Sequence, residues 1–207
     1  MTAAWAMVLA CIAGYADALV RINDGAFAAN MTGNTVFLAM DAVRADWPSA
    51  VKNGLAIIAF VIGSIAARYL LRRADCRRCA LAAAAGALLI AAWLHGLPQL
   101  GAVAAAMGLQ DAAVMHFDGT SINTVFITGD LVNFTDAVVS PRSAQPSSRH
   151  KAFRLGGVWL SYVVGAAAGA CAAPLAVRFL CDPRYALAAV LLGGIAALVP
   201  VPKARPG

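Results

Sequence analysis

The 207 residues are 61% hydrophobic and only 13% charged, against roughly 25% charged and 45–50% apolar in a soluble domain. That balance excludes an ordinary soluble protein and predicts an integral membrane protein. Sixteen Lys and Arg stand against ten acids, all of them Asp, for a formal net charge of +6. A basic excess confined to short loops between apolar runs reads as membrane orientation and not as nucleic-acid binding.

In chain order, the first apolar run begins "MTAAWAMVLACIAGYADALV". It has no basic leader and continues past any small-residue cleavage site, so it reads as a retained helix. Apolar runs bounded by charges or Pro then fall at about 3 to 22, 31 to 44, 53 to 71, 79 to 97, 99 to 117, 122 to 139, 154 to 180 and 185 to 200. Six are long enough to span. The second and sixth are not comfortable spans, since from Thr32 to Val43 a helix rises only about 18 Å against a hydrocarbon core about 30 Å thick. The five cysteines imply no disulfide framework, and "CRRC" at Cys76–Cys79 lacks the second ligand pair that a structural zinc needs, so no metal is expected.

The chain repeats itself. Gly14, Asp17, Ala18, Asp24 and Gly25 recur 94 residues later as Gly108, Asp111, Ala112, Asp118 and Gly119. Thr32-Gly33 recurs as Thr128-Gly129, and Asp41-Ala42-Val43 as Asp136-Ala137-Val138. "FVIG" ending at Gly63 matches "YVVG" ending at Gly165, 102 residues on, the extra length lying in the polar loop "SPRSAQPSSRHK". This predicts one membrane domain over 1–207 made of two repeats, 1–97 and 98–207.

The basic residues vote on how the repeats are oriented. If all eight runs span, Lys and Arg divide 8 against 8 between the two sides; if the two short runs enter and leave by one face, they divide 11 against 5. The positive-inside rule prefers the second arrangement. The expected fold is therefore all-α: a polytopic membrane protein with six spanning helices plus two short re-entrant or broken helices, built as two inverted-topology repeats with both termini cytoplasmic. Cytoplasmic loops then include Arg72–Arg78 and Ser140–Lys151.

The pattern Gly14-x-x-Asp17-Ala18, the connection through Asp24-Gly25, the stretch "NMTGNTVFL" from Asn30 and the second copy ending in "TGDLV" together resemble the YoaK-type family of membrane proteins, the domain of unknown function 1275. The resemblance covers nearly the whole chain. It implies a multi-pass protein of the bacterial cytoplasmic (inner) membrane and supplies neither a substrate nor catalytic residues. The second copy departs from the pattern in carrying Asp130 where Asn34 stands in the first.

Asp17 and Asp111 are the leading site candidates, because an ionised carboxylate within a spanning helix is expensive and ordinarily faces a partner or a water-filled cavity. In an inverted repeat the two could face one central site. Asp17 also has a structural alternative, a pair with Arg21 one turn on. The polar stretch before the second run is long enough to dip toward the midplane, with Asn30 or Thr32 capping a half-helix whose N–H groups favour anions or polar oxygens. Thr32, Gly33, Asn34 and the second-copy Thr128, Gly129 and Asp130 complete the expected solute or ion site. Gly165–Gly169 is a small-residue face that suits a homodimer contact or packing within the chain.

These features predict a small secondary transporter or channel for a small polar or anionic solute, with the lipid bilayer and that solute as partners and no cofactor. The competing class is a membrane enzyme or a non-transporting helper subunit. Enzyme chemistry is poorly represented: there is no Glu, no His or Cys cluster with ligand spacing and no nucleotide fingerprint.

Overall fold

The computed structural model describes residues 3–74, 77–114, 127–139, 146–175 and 182–198. Among them are eight α-helices and no strand: α1 (Ala3–Asp24), α2 (Met31–Val43), α3 (Trp47–Ala74), α4 (Arg77–Ala91), α5 (Leu97–Val114), α6 (Ile127–Val139), α7 (Pro146–Ala172) and α8 (Pro183–Leu198), with one 3-10 turn at Ala173–Leu175 after α7. The all-α expectation holds, and each apolar run corresponds to one helix. Three helices are long and apolar enough to cross a membrane, over Ala4–Asp24, Trp47–Arg72 and Ala152–Ala172. The chain is a membrane protein.

Helix boundaries differ from the apolar runs where local chemistry overrides hydropathy. α3 starts at Trp47 rather than near residue 53 because Asp46 caps it, its carboxylate accepting from Ser49 N at 3.3 Å and its carbonyl from Ala50 N at 3.0 Å. α7 begins in the polar stretch at Pro146, a residue suited to the first helical position, and ends at Ala172 instead of running to 180. Pro174, which cannot continue the α-helical ladder, accounts for that stop.

Packing follows the small residues. α1 lies along α7, α3 lies along α5, α4 packs between α5 and α8, and the two short helices α2 and α6 rest on α3 and α7 respectively. A methyl group on Gly14 would overlap the Tyr162 carbonyl oxygen, and one on Gly108 would overlap that of Phe60. Gly165 meets the Cys11 carbonyl and Gly63 that of Ala105 in the same way. These are one crossing made twice: Gly14 and Gly108, like Cys11 and Ala105, are 94 apart, while Phe60 and Tyr162, like Gly63 and Gly165, are 102 apart. The face Gly165–Gly169 is thus consumed by contact with Cys11 and Tyr15 of α1, within the chain. Outward, Ile58, Ile62 and Ile65 of α3 and Leu160 and Val164 of α7 are exposed, apolar stripes suited to lipid tails.

One end of the bundle collects a polar bracket. Asp182 N donates to Ala92 O at 2.6 Å, and Arg184 donates to Ala173 O at 2.9 Å and to both Asp182 oxygens at 2.8 and 2.6 Å. Asp24 lies near enough to Lys52 and Arg184 to feel both charges. The ends of α1, α4 and α7 therefore meet the starts of α3 and α8 here. Burial pushes the Asp182 carboxyl up, but the bonds from the Arg184 side chain and backbone outweigh it and hold the group below the usual carboxylate range. Its stabilisation is present above that usual range and is lost as pH falls through the lowered value. Asp182→Asn should accordingly remove part of the acid sensitivity seen in pH-dependent thermal melts.

Cys11 and Cys171 are free. Cys79 is bonded in a disulfide, contrary to the expectation from the sequence; the other sulfur lies outside the described residues.

Candidate functional site

α1 ends at Asp24, the chain turns at Gly25 with φ +80, and the following residues come back alongside α1. Asp17 stands seven residues before the helix end, about 10 Å along the axis, yet its Oδ1 accepts from Ala29 N at 2.6 Å and Asn30 N at 3.3 Å. Its Oδ2 accepts from the Tyr162 hydroxyl of α7 at 2.5 Å. With 2% exposure, this carboxyl is a latch that joins α1, the returning segment and α7. Its partner is not Arg21. That guanidinium donates to Gly25 O and lies 4.2 Å from the Phe37 ring centre and 5.3 Å from that of Phe27, a cation–π arrangement.

The returning segment is held by amides. Asn34, fully buried, accepts from Phe27 N at 2.8 Å and donates to Phe27 O at 2.8 Å, replacing the backbone partners that irregular chain at this depth would otherwise lack. Asn30, rather than Thr32, caps α2, its Oδ1 accepting from Gly33 N at 3.1 Å. Gly33 is needed for closeness, since a methyl there would press on the Phe27 ring. Met31 N is taken by Ala29 O and Asn34 N by Asn30 O. At the start of α2 the N–H groups of Met31, Gly33 and Asn34 are thus taken by Ala29 and Asn30.

The second half repeats the frame with different contents. Asp111 is 6% exposed, and its Oδ1 has no hydrogen-bond partner. Phe60, the counterpart of Tyr162 by the 102-residue offset, has no hydroxyl to donate. In its place the charge of Arg68, on α3, acts on Asp111. Ser64 Oγ donates to Gly108 O at 3.3 Å beside the crossing. Gly129 lies exposed in the first turn of α6 with open space around it; the side chains of Thr128 and Asp130, and the segment 115–126 that corresponds to the first returning loop, lie outside the described residues.

The two carboxyls have separate contacts among the described residues. Next to Asp111, Gln110 Nε2 donates to Leu9 O of α1 at 2.9 Å. α2 packs on α3 and α6 on α7, while Asp17 takes its hydroxyl from α7 and Asp111 feels a charge from α3, so each carboxyl is served by helices of both repeats. The structure unites Asp17, Asn30, Gly33 and Asn34 by hydrogen bonds. Tyr162, Phe60 and Arg68 are not singled out by the sequence alone. The signal for the first two is present there: the matched words "FVIG" and "YVVG" differ in their first letter at the position that decides whether an Asp receives a hydroxyl. Among the described residues no group of three or more His, Cys, Asp or Glu is placed to hold a metal ion.

Helices built around twinned glycine crossings, each beside a buried Asp and a short accompanying helix, define a polytopic α-helical membrane protein with an internal duplication in its packing. The chain belongs to the family described as "Protein of unknown function (DUF1275)", whose model matches residues 5–198, as the motif resemblance implied. No curated protein and no solved structure is similar enough to match.

Proposed function

We propose that the chain is a small secondary transporter or channel for a small polar or anionic solute, and not an enzyme. In this reading it lies in the bacterial inner membrane with six crossings and with α2 and α6 as re-entrant half-helices of two inverted-topology repeats. The observation that carries it is Asp111: a buried carboxyl with an unpartnered oxygen, in the half whose counterpart Asp17 has both oxygens bonded. A purely structural carboxyl at depth is expected to have its partners. Supporting the inverted arrangement are the equivalent crossings at Gly14 and Gly108, and the return of the chain from Asp24 to the level of Asp17. α4, α5 and α8, with 15, 18 and 16 residues, would rise roughly 23, 27 and 24 Å, near the hydrocarbon thickness of about 30 Å.

Purified protein in liposomes should carry a small solute at a rate above that of empty vesicles, and Asp111→Asn should change that rate or its pH dependence while the folded yield stays near wild type. Equal flux and equal pH profile for the variant would overturn the assignment. Orientation is read from single cysteines placed at 73 and 145 in a Cys-free background, both of which should resist an impermeant thiol reagent applied from outside intact cells. The 11 to 5 charge division favours that outcome; the Cys79 disulfide pulls the other way, since such bonds persist in oxidising compartments. Labelling of only one site would defeat the six-crossing arrangement.

A further inference from the structure

We propose that Cys79 and Cys76 form an exchangeable dithiol–disulfide centre at the start of α4, opened by a vicinal dithiol. It is a redox site separate from the solute reading, and it takes only its compartment from the orientation argued above.

Cys79 is bonded to another sulfur while Cys11 and Cys171 are free, which leaves Cys76 and Cys181, of the five cysteines, as candidates for the partner. Asp182 N donates to Ala92 O, and Ala92 N in turn continues the α4 ladder to Leu88 O. The chain at 181 is thereby tied to the far end of α4. Ala92 stands thirteen residues after Cys79, about 20 Å along the helix axis, whereas the Cα atoms of a disulfide lie within about 7 Å of each other. One peptide link adds only about 3.8 Å of reach, too little for Cys181 to close that gap. Cys76, three positions before Cys79 in the sequence, remains.

Such a bond is suited to exchange and not to support. Closing a loop that runs only from 76 to 79 restrains little of the unfolded chain's freedom, and α3 and α4 are already held by packing on α5. Cys79 is exposed, so a reductant can reach its sulfur. The stretch RRADCRRC over 72–79 carries four arginines against one aspartate, and a Cys-x-x-Cys motif in basic surroundings at a helix start favours the thiolate that performs exchange. The compartment agrees. The charge division puts this loop in the cytoplasm, where a permanent disulfide is not expected and a transient, redox-sensing one is, so an exchangeable bond removes the conflict between the two signals. In the reaction, one thiolate of the reductant attacks the Cys79 sulfur, a mixed disulfide forms, and Cys76 leaves as a thiolate that takes a proton. The reductant's second thiol then displaces Cys79, which is protonated in turn, and the reductant departs as its own disulfide. Two electrons and two protons pass from the dithiol to the chain.

The test begins with the purified full chain, kept from reductants, denatured and labelled with a maleimide whose additions are counted by mass. In wild type, three of the five cysteines should react. Cys76→Ser should add one reactive thiol and Cys181→Ser should remove one, and neither count needs a folded variant. The opposite pair of changes would place the bond between Cys79 and Cys181 and overturn the proposal, as would five reactive thiols that oxidised glutathione does not bring down to three. Exchange is read on the folded protein in detergent. Dithiothreitol should raise the wild-type count to five, and its replacement by oxidised glutathione should return it to three, with the helical circular dichroism unchanged throughout. In Cys76→Ser, and in Cys76→Ala beside it, oxidised glutathione should leave an adduct on Cys79, located by mass in proteolytic fragments; reduced wild type should retain none there, because Cys76 displaces it. A bond that opens only once the helices are lost, or a wild-type chain that keeps the adduct, overturns the proposal. Acid-quenched cells should contain both forms, shifting toward the disulfide after diamide is added, and a pair fully oxidised in untreated cells would also defeat it. None of these readouts involves solute flux, so their failure leaves the transport reading where it stands.

Discussion

Adding a single methyl group to Gly14 or Gly108 is expected to prevent recovery of stable folded protein. At both positions the new carbon would overlap a carbonyl oxygen of the facing helix, at Tyr162 and Phe60. A flexible side chain in the way can rotate, but backbone cannot, so the helices must separate along their length. In a membrane the close contact is itself the main attraction, since lipid competes equally for apolar side chains. Overpacking a well-filled interior costs about 1–3 kcal/mol and sometimes more, and here the neighbouring contacts of Gly165 with Cys11, or of Gly63 with Ala105, would be lost with it. Gly86 supplies the control. It lies inside α4, and a methyl carbon added there would meet nothing within 4 Å, so Gly86→Ala should be neutral or stabilising by up to about 1 kcal/mol. Unfolding in mixed micelles, read by circular dichroism, distinguishes the two classes. Gly14→Ala and Gly108→Ala variants as stable as Gly86→Ala would show that the twinned crossings do not hold the bundle together.

The helices and the doubling were legible because they depend on patterns that survive in one dimension. Eight apolar runs correspond to eight helices, and the Asp and Gly identities at an offset of 94 select the residues at the α1–α7 and α3–α5 crossings. What was not legible depends on partners distant in sequence. Arg21, four residues after Asp17, has the spacing of an ion pair, yet Asp17 prefers a hydroxyl 145 positions away and two N–H groups that only a returning chain can deliver. Arg21 is drawn instead to Phe27 and Phe37, a choice that no local rule ranks. Asn34 reads as a solute ligand from its place beside Thr-Gly. Its amide in fact bonds both backbone groups of Phe27, a requirement of holding irregular chain in an apolar interior. Where α5 meets α1, Gln110 bonds Leu9 O across 101 positions, a pairing equally invisible along the chain.

Exchanging the two ring types, Tyr162→Phe and Phe60→Tyr, should shift stability in opposite directions. Tyr162→Phe keeps the ring and the α1–α7 crossing, but it strips the 2.5 Å donor from Asp17 Oδ2 and leaves a buried oxygen unpaired, at a cost of about 1–3 kcal/mol. Of the carboxyl's bonds only those from Ala29 and Asn30 then tie the returning segment to α1, so amide hydrogen exchange of residues 26 to 34 should speed up more than that of α4. Phe60→Tyr does the converse. If the ring at Phe60 stands to Asp111 as Tyr162 stands to Asp17, which the shared offsets of 94 and 102 require, its new hydroxyl reaches the oxygen that now lacks a partner and stabilises the fold by up to about 1.5 kcal/mol. The functional consequence separates a latch from a working group. Tyr162→Phe should reduce solute flux only in proportion to the folded protein lost, whereas Phe60→Tyr should slow flux per folded molecule, because a carboxylate held by a hydroxyl gives up that bond before it can take a proton. A double variant should show both effects together, since Tyr162 on α7 and Phe60 on α3 stand beside different carboxyls. Should Phe60→Tyr destabilise the protein and leave flux per folded molecule unchanged, the hydroxyl has no carboxyl to meet, and the equivalence of the two Asp sites is wrong.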